Sequence, residues 1–373
     1  MRWVGERRLA IRDLTVCVDH MSEAKEDWMQ YHGGCVALLA QVPNLQRLCI
    51  SIPKRFMVPE QHLSALGFLT NLQTLTLKLD SNGEWSAMTL EPLKVLTALT
   101  HLSIGIQSLQ GALLVSPELA KLTQLQTLYL RALNSNRINQ GHLMDTISRL
   151  SGLTGLDLNG MVNDAPAELA ALEHLQAWYF RAPSPSYANT KFTIPACLTS
   201  CSNLSYISLA NLSQATVRAW WGLCRSLLCL PALDSISFID TNLADALPAA
   251  WAPSTRLTFL NLSNCNIDSL PSAACQLPLL QHLRMIGMPL LHLPGGEYLQ
   301  HMRRMAIHCD RNTLGATNLA DACHLESLRV TANEGPEAWS QAYLASILPG
   351  GCAIIVYNPD DSECDNYTSG EEY

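Results

Sequence analysis

The phrase Leu-x-x-Leu-x-Leu recurs along this 373-residue chain, and it limits the possible folds more than any other feature. Copies or near copies begin at Ile11, Leu45, Leu72, Leu99, Leu125, Leu153, Leu175, Leu204, Leu233, Leu257, Leu280, Met302 and Leu325. After the first gap, successive starts lie about 22 to 29 residues apart, a period that marks repeat architectures. The clearest copies are LQTLTL (72–77), LTHLSI (99–104), LQTLYL (125–130), LTGLDL (153–158) and LNLSNCNIDSLP (260–271). One hexamer means little, whereas about a dozen in phase define a repeat. Alternation at period two turns the leucines of each copy to one side of a short strand. One strand cannot bury that side alone, so the copies must stack into a parallel sheet over a continuous leucine core.

On these hexamers the chain resembles the leucine-rich-repeat family over nearly its whole length. The resemblance implies an α/β solenoid of horseshoe form, with a parallel concave β-sheet and helical or 3₁₀ returns on the convex side. About 13 repeats would fill residues 1–358. The returns 91–99, 117–125, 142–153 and 166–175 carry apolar residues at three- and four-residue spacing and are predicted to be helical. From Leu257 the repeats shorten and carry LPSAACQLPLL (270–280), which resembles the compact subtype with 3₁₀ or extended returns. A change of texture along the convex side is therefore expected. The family usually places Asn or Cys at the ninth repeat position to support the turn after the strand. Cys265 and Asn333 fit, and Asp19, Asp80, Thr241 and Asp310 can partly substitute. Pro53, Leu133, Met161, Pro183, Leu212 and Met288 cannot, so irregular turns are expected.

Composition agrees with a well-buried chain. Hydrophobic residues make up 48% and charged residues 15%, with a mean hydropathy of +0.09, which excludes intrinsic disorder as a general state. The net charge of -8 and pI near 5.7 count against a nucleic-acid binder. No apolar run reaches the ~18 residues of a membrane span. The opening MRWVGERRLAIRDL lacks the apolar segment of a secretory signal. Thirteen cysteines, odd in number and irregular in spacing, are expected to be mostly reduced, buried thiols, and the expected location is cytoplasmic. The sequons at Asn203, Asn211, Asn261 and Asn366 then carry no weight.

Near the start, Ser22 is expected to cap a helix running to Tyr31, broken by Gly33-Gly34. No polar cap precedes the first strand, although solenoid ends need one. Either the chain is the tail of a longer protein, or Met1–Ala10 pairs over the end. At the other end, AIIVYN (353–358) reads as a closing strand. Residues 359–373 read as a disordered acidic tail with Asp360, Asp361, Glu363, Asp365, Glu371 and Glu372. Ser362 and Ser369 each precede a carboxylate by three residues, a context for acidophilic phosphorylation.

Sequence motifs for phosphate, dinucleotide, zinc-protease, calcium or nucleophile-elbow chemistry are lacking. The pairs Cys197/Cys201 and Cys224/Cys229 lack the C-x-x-C knuckles of structural zinc. His101, His282 and His308 fall on outward strand positions without a Cys or carboxylate on the same side of the strand. No catalytic residue, metal or cofactor is therefore expected, and the chain reads as a non-enzyme.

The third, fifth and seventh residues of each repeat point out of the sheet, onto the concave surface where solenoids bind. Arg47, Lys78, Arg131, Arg181, Arg284, Arg304 and Arg329 stand there, against only Asp13 and Asp157. That bias opposes a chain with 24 basic and 32 acidic residues. Tyr129, Tyr179, Tyr206 and Phe259 share the face, as does His282. Arginine and aromatic side chains are the usual anchors of interfaces. The expected function is a monomeric, non-enzymatic scaffold that binds a protein partner with an acidic surface or peptide. The acidic tail folding back over the C-terminal arginines is a further option, and a polyanion such as RNA is disfavoured by the lack of Lys-rich runs. Two other readings rest on resemblance. One is a substrate-recognition subunit of a ubiquitin ligase of the F-box type, whose adaptor-binding helices would precede Met1. The other is an enzyme regulator similar to ribonuclease inhibitors, whose regular repeat alternation and cysteine placement this chain lacks.

Overall fold

The computed structural model describes residues 11–17, 42–52, 64, 66–80, 87–107, 112–132, 140–161, 167–181, 201–212, 230–243, 256–272, 274–316, 319–331, 339, 343, 346–348 and 350–357. The expected helix at 22–31, the residues Cys197, Cys224, Cys229 and Asn333, the end segment Met1–Ala10 and the acidic tail lie outside them. The chain divides into two compact units, Met1–Leu204 and Ser205–Tyr373.

In the first unit the main sheet contains β1 (Asp13–Cys17), β2 (Arg47–Ile52), β3 (Thr74–Asp80), β5 (His101–Gln107), β7 (Thr127–Ala132), β8 (Gly155–Asp157) and β9 (Ala177–Arg181). These strands are parallel and follow chain order. Two short strands, β4 (Ala87–Thr89) and β6 (Ala112–Leu114), pair beside it as a separate ribbon. In the second unit β10 (Tyr206–Ala210), β11 (Ser235–Ile239), β12 (Phe259–Ser263), β13 (His282–Leu290), β14 (Arg304–Cys309), β15 (Ser327–Thr331) and β16 (Ala353–Tyr357) pair in the same parallel fashion. The fold is a leucine-rich-repeat solenoid. Each of the 13 repeat starts read from the sequence precedes its strand by two residues, and β16 is the expected closing strand.

The core follows from the alternation. Leu75, Leu77 and Leu79 of β3, and Leu102, Ile104 and Ile106 of β5, are all buried. Each such side chain contributes about 1.5–3 kcal/mol by leaving water. Successive strands are also stitched at their entry. The amides of Gln73 and Thr74 both donate to the Gln46 carbonyl, and those of Thr100 and His101 to the Gln73 carbonyl.

The returns correct the expectation of helices. Residues 91–99, 117–125 and 166–175 contain 3₁₀ turns at Glu91–Val95, Pro117–Lys121 and Ala167–Ala171. The reason is a strict three-residue leucine spacing, as in Leu90, Leu93, Leu96 and Leu99, all buried. Period three matches a 3₁₀ turn, in which residues i and i+3 eclipse, and each leucine amide donates to the carbonyl of the leucine three before it, at 2.9–3.1 Å. Only 142–153 contains an α-helix, α1 (Gln140–Arg149), where Leu143, Ile147 and Leu150 are buried at four- and three-residue spacing. The second unit uses 3₁₀ returns too, at Ala274–Gln276, Glu297–His301 and Leu319–Asp321. The expected change of texture from helical to compact returns is therefore not found among the described residues.

The turns after the strands are supported in several ways. The buried Cys265 thiol donates to the carbonyls of Phe238 and Ser263, both at 3.3 Å, and burial pushes its pKa up to about 12. Thr241 takes the same role one repeat earlier, donating to the Ile239 carbonyl and accepting from the Leu212 amide. Asp310 serves differently: it accepts the Thr313 amide at 2.6 Å, within the short helix α2 (Arg311–Ala316). Met288, which the sequence counts as unable to help, has its sulfur 3.3 Å from the Ile267 amide, which donates to it. Met161 and Leu212 are buried as core residues.

Candidate partner-binding face

The outward face of the first unit is built from the third, fifth and seventh residues of its repeats. Asp13 and Arg47 are neighbours in register on β1 and β2 and form an exposed ion pair at 3.1 Å. Lys78 is exposed on β3, in register with Gly105 of β5, which is in turn in register with Arg131 of β7.

Tyr129, Asp157 and Tyr179 form one row across β7, β8 and β9. The two tyrosine rings meet edge to face, with centroids 5.9 Å apart, in the row that Asp157 occupies between them. The room for this comes partly from Gly155, since a Cβ there would come within 3.3 Å of the Tyr129 hydroxyl and 3.2 Å of Thr127. Asp157 has no exposed surface. Its carboxylate accepts from Arg131 Nε at 2.6 Å, from the Asn159 amide at 3.0 Å and from the Asn159 side chain at 3.3 Å. Burial raises the Asp157 pKa, while the charge and hydrogen bond of Arg131, the Asn159 amide and the charge of Arg181 pull against the rise. Burial, followed by the Asp157 charge, also raises the Tyr129 pKa. The sequence places Asp157 on the contact surface, and the structure corrects this: Asp157 is a sealed anchor that fixes Arg131, whose guanidinium carbon lies 6.0 Å from the Tyr129 ring centroid.

In the second unit the third-position row reads Tyr206, Ser235, Phe259, His282, Arg304, Ser327 and Ala353 across β10 to β16. The rings of Tyr206 and Phe259 lie 6.3 Å apart, and Phe259 meets the His282 ring edge-on at 6.4 Å. Burial and then the neighbouring Arg304 charge lower the His282 pKa, which favours its neutral imidazole. The fifth-position row reads Ser208, Ser237, Asn261, Arg284, Ala306, Arg329 and Ile355. Its first half is closed by small polar groups. Buried Asn261 donates to Ser237 Oγ at 3.0 Å and accepts from the amide and hydroxyl of Ser263. Its second half brings Arg284 and Arg329 to either side of Ala306, with Arg304 two residues earlier on the same strand. Arg304 and Ile355 are exposed.

Sequence reasoning missed the Asn261 network, which the small residues Ser237 and Ser263 could have signalled. It also missed a backbone signal at the eighth repeat position, a turn after β8, β10, β11 and β12 and a register shift within β13. Gly160, Asn211, Asp240, Asn264 and Gly287 all have positive φ there, between 51° and 82°. Asn, Asp and Gly tolerate that conformation, which other residues avoid.

No protein-family model matches the chain. No curated protein matches it either. Among solved structures, an internalin of Listeria monocytogenes is similar at 15% identity, with 94% of this chain and 88% of that one covered and a TM-score of 0.46. A leucine-rich-repeat protein of Leptospira interrogans is similar at 16% identity over 95% of this chain and 98% of that one, with a TM-score of 0.45. A chain of the Toll–Spatzle complex from Drosophila is similar at 14% identity and a TM-score of 0.45, over 86% of this chain and 45% of its own length.

Proposed function

We propose that the chain is a non-enzymatic interaction scaffold that binds an acidic protein surface or peptide at the outward strand positions of its repeats. One observation carries the reading. Both carboxylates at the outward strand positions, Asp13 and Asp157 of the first unit, are engaged by arginines at such positions, Asp13 by Arg47 and Asp157 by Arg131. An acidic partner therefore meets arginine, lysine and aromatic side chains and no unpaired carboxylate at these positions. Like-charge juxtaposition would cost such a partner several kcal/mol, and removing it favours acidic partners over basic ones. The packed aromatics Tyr129, Tyr179, Tyr206 and Phe259 supply apolar anchors beside the charge.

The test is affinity purification of the native chain and of an Arg181→Glu/Arg284→Glu/Arg304→Glu variant from the source cells. Arg131 is left intact because it holds the buried Asp157. The expected result is loss of an acidic partner from a variant with unchanged circular dichroism and melting. Retention of every partner would place binding elsewhere, and a ligase adaptor among them would favour the substrate-recognition reading.

A further inference from the structure

Four consecutive strands, β13 to β16, concentrate positive charge on one part of the face. Their outward positions carry Arg284, Arg304 and Arg329 and no carboxylate. In-register pairing puts Arg284 and Arg329 in one row on the two sides of Ala306, about 10 Å apart at the backbone. Arg304 lies on the strand between them. Ala306 has only a methyl group, so three long cationic side chains ring a small residue. Ile355, exposed at 39%, is in register with Arg329 and gives the same place an apolar edge.

We propose that this arginine triad is the docking site for the chain's own acidic segment, residues 359–373, which competes there with an acidic partner. The proposal rests on the reading of the face as a site for acidic ligands and names its regulator. Three facts support this occupant. The segment carries six carboxylates and no lysine or arginine. It begins two residues after the end of β16, the strand next to β15 and Arg329. Fifteen residues extend to about 50 Å, whereas β13 lies three strand spacings from β16, about 14 Å. A tether this short gives an effective concentration of about a millimolar. A weak intrinsic affinity near ~0.1 mM is then enough to raise an external ligand's apparent dissociation constant about tenfold.

The experiment uses the full chain in native form and with its tail carboxylates neutralised (Asp360→Asn, Asp361→Asn, Glu363→Gln, Asp365→Asn, Glu371→Gln and Glu372→Gln). Two labelled probes are titrated at low salt: a synthetic peptide of residues 359–373, and an unrelated Glu-rich peptide of equal length and charge. The proposal expects both probes to bind the neutralised chain about tenfold more tightly than the native one. Adding Arg304→Glu to the neutralised chain should abolish that gain, with circular dichroism confirming the fold. Equal binding of the Glu-rich probe to native and neutralised chains would overturn tail docking and leave the acidic-partner reading standing. No binding of either probe to the neutralised chain would overturn both.

Discussion

Strands β3 and β5 of the first unit and β10, β11 and β12 of the second are built from the same hexamer but end differently. The first two run for seven residues and the other three for five. The difference lies in the eighth repeat position. In β3 and β5 it holds Leu79 and Ile106, which continue the alternation and are buried. After β10, β11 and β12 it holds Asn211, Asp240 and Asn264, each with positive φ. An aliphatic side chain extends the strand and adds to the core. An Asn or Asp breaks the strand and turns the chain, because its short polar side chain tolerates the left-handed region. Two of these turning residues bond to each other, Asn264 donating to Asp240 at 2.9 Å, and two positions further on Asn266 donates to Asn242 at 3.4 Å. In these five strands the eighth position decides whether the repeat invests in core or in turn, whereas β13 passes through Gly287, at φ +82°, with a shift of register and runs on to Leu290.

The largest effect should come from forcing the second solution onto the first. Leu79→Asn removes a core leucine and buries an amide, and should destabilise by about 4 kcal/mol in denaturant melts. Next comes the ion pair of Arg131 and Asp157. Arg131→Met leaves the Asp157 carboxylate buried without its main partner and should cost about 3 kcal/mol. The figure is at the low end because the Arg131 side chain is 32% exposed and therefore screened by water. The folded pKa of Asp157 is raised, so its protonation relieves the strain. The deficit of Arg131→Met should therefore shrink as pH falls toward that raised pKa, and Asp157→Asn in the same chain should restore most of the loss. A deficit that widens with acid would contradict this assignment.

Smaller effects sharpen the comparison at the turns. Gly287 has φ +82°, and a Cβ there would overlap the Asn264 side chain. Gly287→Ala should cost about 2 kcal/mol, by melting temperature, from backbone strain and displacement of the Asn264–Asp240 bond. Asn264→Ala should cost about 1 kcal/mol, while Asn264→Gly should stay within about 0.5 kcal/mol, because glycine keeps the φ and loses only an exposed bond. The smallest effect concerns no stability at all. With its pKa pushed to about 12 and no surface, Cys265 should resist a thiol reagent at pH 8 in the folded chain, whereas exposed Cys323 reacts at once.

Much of this architecture was legible in the residues. The leucines of each hexamer located every strand start of the 13 repeats, because a period of two has only one way to bury its apolar side. The spacing that misled was that of the returns. Leu90, Leu93, Leu96 and Leu99 step by three, which satisfies a loose helical pattern but fits a 3₁₀ turn better. The exits of β8, β10, β11 and β12 are written at the eighth position in Gly, Asn and Asp, and at the ninth Cys265 and Thr241 support the turn. On the face, the outward register of Arg47, Lys78 and Arg304 could be counted from sequence, and all three are exposed. The burial of Asp157 could not. It depends on side chains from different repeats that meet in one row, with Asp157 in register between Tyr129 and Tyr179, whose rings lie 5.9 Å apart, and no local pattern encodes that arrangement.

Hydroxyl-radical footprinting of the full chain, with and without its purified partner, tests the proposed binding face most directly. Oxidation should fall at Tyr129, Tyr179, Tyr206, Phe259 and His282, and stay unchanged at Phe68, which is 69% exposed outside the strands. Protection of Phe68 with unchanged oxidation of the outward aromatics would contradict the account and move the partner to the opposite side of the repeats.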